Sequence, residues 1–79
     1  MKLPRDINAS GLIKALQSLG YEVTRQTGSH IRLTTVQGGT HHITIPNHNP
    51  IKIGTLSSIL NGIAEHFNTT KEDIIRRIF

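Results

Sequence analysis

The apolar residues of this chain change period twice, and that change limits the folds open to it. Leu12, Ile13, Leu16 and Leu19 recur at helical spacing. Ser10 stands where an N-cap belongs and Gly20 where a left-handed stop belongs, so a first helix is expected over residues 11–19. From Tyr21 the period becomes two. Tyr21 and Val23 alternate with Glu22 and Thr24, then Ile31, Leu33 and Thr35 with His30, Arg32 and Thr34. Ile43 and Ile45 alternate in the same way with His42 and Thr44. Thr27-Gly28-Ser29 and Gln37-Gly38-Gly39-Thr40 supply the turns, which makes three antiparallel strands in a meander. Pro46 closes the third strand. After a loop, Thr55 opens a second helix in which Leu56, Ile59, Leu60, Ile63, Ala64 and Phe67 line one side, and Asn68 stops it. Thr69 and Glu72 read as a capping box for a short last helix carrying Ile74, Ile75, Ile78 and Phe79. The expected order is α-β-β-β-α plus a short C-terminal helix. That is a single α+β domain over residues 1–79, with both long helices on one face of the sheet.

Strand parity decides which side chains share a face. Apolar residues must meet the helices, so Leu33 is expected opposite Ile45 rather than Thr44. That requires an odd loop, most simply Gly38-Gly39-Thr40. The same rule pairs Val23 with Leu33 around an odd turn centred near Gly28. The uncovered face then carries Gln26, His30, Arg32, Thr34, His42 and Thr44, with His48 on the same side beyond the third strand. His41 points inward or sits in the turn.

Composition narrows the function classes. Nine Lys and Arg against five Asp and Glu give a net charge of +4, and five histidines add positive charge as pH falls. Such a balance fits a polyanionic partner, nucleic acid foremost, and fits ordinary solubility charge as well. No Lys/Arg block is present, so any basic surface must be assembled by folding. The absence of cysteine excludes disulfides, zinc–thiolate knuckles and thiol chemistry, and fits a reducing compartment. No apolar run approaches the roughly 20 residues that span a bilayer. The first residues, through Asp6, lack the apolar middle of a signal peptide, so a soluble cytoplasmic protein without a membrane partner is expected.

Few arrangements of chemical groups are available. His30 follows Gly28-Ser29, where a glycine turn allows close approach to the backbone, and an imidazole there can serve as general acid or base. The plainer reading is a polar residue filling the first position of a strand. Arg32 shares that face and can hold a phosphate, or it is a solvated cross-strand residue. His41, His42 and His48 do not make a metal set, because adjacent strand residues diverge and no carboxylate lies nearby. Lys52 precedes a helix N-terminus that can hold a phosphate; the alternative is a helix simply capped by Thr55. Asp6 and Asp73 lie near the chain ends, which leaves a Ser-His-Asp triad without support, and Glu22 alone gives the sheet no carboxylate pair.

Three stretches together are familiar. They are Gly20-Tyr21-Glu22-Val23-Thr24-Arg25-Gln26-Thr27-Gly28-Ser29-His30, then His42-Ile43-Thr44-Ile45-Pro46-Asn47-His48, then Gly54-Thr55-Leu56 with Ile59-Leu60. In residues and spacing, over nearly the whole chain, they resemble the HicA family of toxins. The resemblance implies a double-stranded-RNA-binding-domain-like α-β-β-β-α fold. It also implies a metal-independent mRNA endonuclease, with no cofactor, that is neutralised by a HicB-like antitoxin. The histidine of the family's Gly-Ser-His motif is catalytic and maps onto His30, while Pro46 and His48 match its prolyl-x-histidine motif. His48 is then a second catalytic or site-ordering group, and Arg25, Gly28, Ser29, Arg32 and Lys52 are candidates for RNA contact. The tail beyond Asn68 is absent from the shortest members of the family.

Overall fold

Gly20 marks the handover from helix to sheet. Its φ of 82° is left-handed, and a Cβ there would meet Thr35 Oγ1 at 2.8 Å and Gln37 Nε2 at 2.7 Å. Only glycine satisfies both the backbone and the space. Thr35 Oγ1 is the anchor, donating to the Leu19 carbonyl (2.8 Å) and accepting from the Gln37 N–H (3.1 Å). The end of the first helix is thereby tied to the end of the central strand.

The computed structural model describes residue 3 and residues 6–79. The expectation about a leader sequence falls largely on residues 1, 2, 4 and 5, which lie outside the described residues. The elements are α1 (Ala9–Leu16) with a 3-10 turn (Gln17–Leu19), β1 (Glu22–Thr27), β2 (His30–Thr35), β3 (His41–Pro46), α2 (Ile53–His66) and α3 (Lys71–Ile78). The strands form an antiparallel meander in the order β1-β2-β3. This is the expected α+β, double-stranded-RNA-binding-domain-like architecture with an added helix. Leu12, Leu16, Tyr21, Leu33, Ile45, Leu56, Leu60, Ile63 and Ile74 are fully buried, between the helices and the inner face of the sheet. Complete burial of each such side chain is worth about 1.5–3 kcal/mol against leaving it in water.

Element ends depart from expectation for identifiable reasons. α1 starts at Ala9 rather than residue 11, because Ala9 is itself a core residue. Ser10 therefore lies inside the helix, and the capping position falls to Asn8, whose side chain makes no cap bond. The Ala9 N–H instead donates to Asn49 Oδ1 at 3.3 Å. α2 starts at Ile53, preceded by the extended Lys52, so Thr55 is not its cap. Buried Ile51, whose N–H donates to the Ile7 carbonyl, ends the loop earlier than the threonine signal indicates. The last capping interaction also sits one residue later. Thr70 Oγ1 accepts from the Asp73 N–H (3.1 Å), while Thr69 Oγ1 donates to the Asp73 carboxylate (2.8 Å). Asn68, at φ 55°, is the left-handed stop expected.

Register is corrected at two places. Leu33 lies opposite Ile43, and Ile45 lies opposite Ile31. The β2–β3 loop therefore spans residues 36–40, five residues rather than three, because anchored Thr35 ends β2 before exposed Val36. An odd loop preserves the faces, so the inward set is unchanged. In β1, Val23 does oppose Leu33, but Thr27 opposes His30 across the two-residue turn Gly28-Ser29. Those two pairings leave one residue over, and a bulge at Thr24 absorbs it. Beyond the bulge the faces swap: Gln26 opposes inward-facing Ile31 and leaves the open face, while Arg25 opposes Arg32 and joins it.

Candidate functional site

The open face consists of three cross-strand rows. Thr27, His30 and Pro46 form the first, Arg25, Arg32 and Thr44 the second, and Glu22, Thr34 and His42 the third. The helices leave this face uncovered: His30, Arg25, Arg32, His42 and Thr44 are all exposed. The two arginines oppose each other directly, a pairing that costs stability unless an anion lies between them. Among the described residues neither has an ion-pair partner; the one ion pair joins Arg77 to Asp73 at 3.0 Å, on α3.

His30 opens β2 directly after the turn. Gly28, at φ 55°, supplies the positive φ that the first position of such a turn requires, and nothing lies within 4 Å of where its Cβ would be. The turn is tied to the third strand, since the Asn47 N–H donates to the Ser29 carbonyl at 2.6 Å. That bond brings the segment 47–52, exposed except at Ile51, to the His30 end of the sheet. His48 and Lys52 are on that segment and are exposed, beyond the strand, so strand parity does not govern His48. Among the described residues no hydrogen bond orients His30, and no three side chains able to ligate a metal are gathered.

Two side-chain networks went unread in the sequence. On the open face, Thr24 Oγ1 lies 2.9 Å from Thr34 Oγ1, which lies 2.7 Å from His42 Nδ1. On the inner side, His41 faces inward, one of the two places parity left it, 2.7 Å from the Tyr21 hydroxyl. Its ring stacks on His66 at 4.4 Å, and His66 Nε2 donates to the Gln37 carbonyl at 2.9 Å. Burial pushes the Tyr21 pKa up to about 12. Burial also pushes His41 below its ordinary value, and charges on His66 and His42 act in the same direction. The bulge that places Thr24 has no local sequence signal, and His66 is 25 residues from His41 on another element.

The family model for the HicA toxin of bacterial toxin–antitoxin systems matches residues 9–63, most of the chain and every element from α1 to the body of α2. The chain belongs to the HicA toxin family. The matched stretch contains His30, His48 and the whole open face, while α3 lies outside it. Neither the curated proteins nor the solved structures gave a match. As a HicA-family chain it has no helix, among the described residues, long and apolar enough to cross a membrane.

Proposed function

We propose that this HicA-family toxin is a cytoplasmic endoribonuclease that cleaves mRNA without a metal or cofactor, with His30 as its catalytic histidine. The supporting observation is the placement of His30: exposed, at the turn end of the central strand, one row from the cross-strand pair Arg25–Arg32. In the step proposed, the ribose 2′-oxygen forms a bond to the adjacent phosphorus and its proton passes to His30. The bond from phosphorus to the 5′-oxygen breaks, and that oxygen takes a proton from His48 or from water. Arg25 and Arg32 offset the charge that gathers on the phosphoryl oxygens, and Lys52 holds the backbone nearby. Gly28 and Ser29 let the strand approach the turn. A HicB-like antitoxin would silence the activity by covering His30 and the basic residues.

One observation favours a second reading, an RNA-binding module that does not cleave. A general base is ordinarily oriented by a partner, and His30 has none among the described residues. Labelled RNA incubated with the protein in excess chelator separates the two. Discrete fragments are expected from the unaltered chain and none from His30→Ala, with thermal stabilities of the two within about 0.5 kcal/mol because the site is exposed. The loss in rate should be about 10²–10⁴-fold for one positioned base. Intact RNA with both proteins would leave the binding module standing.

A further inference from the structure

Resting on the RNA-cleaving reading, we propose that His42 is a further RNA contact, positioned by Thr34, so that the single strand crosses the open sheet face from His30 to His42.

The placement of the rows carries this. His30 and Thr34 are four residues apart on β2, which is roughly 13 Å, and His42 lies beside Thr34 on β3. Between the two histidines stand Arg25 and Arg32, without an acidic partner among the described residues. Histidine, arginine pair and histidine thus succeed one another across an uncovered surface, over a length that a few nucleotides span. The occupant implied is a polyanion that is thin and extended, as a single RNA strand is.

His42 differs from a merely solvated histidine because its ring is held. Neutral, its Nδ1 accepts from the Thr34 hydroxyl, and Nε2–H is left as the outward donor. Charged, Nδ1–H donates to Thr34, whose hydroxyl turns to Thr24, whose hydroxyl turns to the Arg32 carbonyl at 3.4 Å. Every donor finds an acceptor in both states, so the ring keeps one orientation whichever state binds phosphate. Among the described residues no other side-chain hydrogen bond uses this file of hydroxyls, and both threonines are on the face away from the core. Glu22 is the one carboxylate on the three strands, opposite Thr34 on the β1 side, and it keeps the path toward β3 at that end.

The test uses the full chain. With His30 intact, cleavage of a short single-stranded RNA is measured for His42→Ala, Thr34→Val and Thr34→Ser. Loss of one charge-assisted contact should raise KM about tenfold in His42→Ala, with kcat within twofold. Thr34→Val should raise KM about threefold, Thr34→Ser should restore it, and the double change His42→Ala with Thr34→Val should add nothing to His42→Ala alone. Melting temperatures near that of the unaltered chain are expected throughout, since both sites are on the open face. Cleavage that depends on His30 while KM stays unchanged in His42→Ala would overturn this inference and leave the nuclease reading intact. Unchanged KM combined with weakened binding of a co-expressed acidic partner protein would also overturn it, assigning the row to that partner. No cleavage by the unaltered chain, and no RNA retained by it, would remove both readings together.

Discussion

Single side chains at the His41 end of the sheet set a pH dependence. The Tyr21 hydroxyl lies 2.7 Å from His41 Nδ1, and the His41 ring is stacked on His66, with His42 beside it in the chain and the Phe67 ring edge-on to Tyr21 and His66. Protonating His41 would put a charge on this stacked, partly buried ring. Burial is the larger reason that the folded chain resists this, followed by the His66 and His42 charges. A pKa lower in the folded state than in the unfolded one means that the unfolded chain takes up the proton more readily. The contribution is therefore complete above the unfolded value, near 6.5, and is lost as pH falls below it. Thermal melts from pH 7.5 down to 5 should show a falling midpoint in the unaltered chain. In His41→Gln, whose amide can bond the Tyr21 hydroxyl in either direction but does not titrate, the fall should be smaller. An equal fall in both would mean that His41 does not set this dependence. Parity left His41 two places, inward or in the turn, and the structure takes the first. The partner of His41 was not legible, because nothing local to the sequence tells a helix-end histidine such as His66 which loop it will meet.

Among the elements, helices were more legible than registers. Spacing of three and four placed Leu12, Leu16, Leu56, Leu60 and Ile63 in the core, where all are fully buried. Strand alternation gave β2 its correct inward set but could not count the β2–β3 loop, since three residues and five have the same parity. The bulge at Thr24 was hidden because threonine suits a regular strand, and it decides which of Arg25 and Gln26 reaches the open face. α3 is the element whose role the sequence left open. Eight residues do not hold a helix by themselves in water, so its stability must come from docking. Ile74 is completely buried and Ile75 nearly so, against α2 and the 3-10 turn. Asp73 fixes its start, and a side-chain bond from Thr69 is the first reason that its carboxyl lies below the ordinary range, ahead of the Arg77 charge. α3 is thus part of the core, although it lies outside the family match. Ile74→Ala should cost about 2–5 kcal/mol in denaturant melts, a large share of the stability of a domain this small. A change below 0.5 kcal/mol would show α3 to be an ornament on a core that stands without it.

At the scale of the whole molecule, the fold separates two tasks. Its extents of 31 × 28 × 17 Å are those of a slab, in keeping with one layer of helices on one sheet. Apolar side chains fill the space between the layers, so the outer face of the sheet is not needed for stability and is open to carry charge. With a net charge of +4 and an arginine pair on that face, the slab has a side suited to a polyanion. Charge of this size also serves solubility, and salt distinguishes the two roles. Counterions are released when phosphates are neutralised, so the logarithm of affinity falls with the logarithm of salt by about 0.7 per contact on a single strand. The three permanently charged contacts proposed, Arg25, Arg32 and Lys52, give a slope of about −2. The measurement is best made on His30→Ala, so that binding is read without cleavage, with the same RNA from low to physiological salt. Arg25→Ala should lower the slope by roughly 0.7, and Arg76→Ala on α3 should leave it unchanged. A flat response would show that the charge on this face serves solubility alone. A slope that Arg25→Ala leaves unaltered would place the RNA on some other part of the surface.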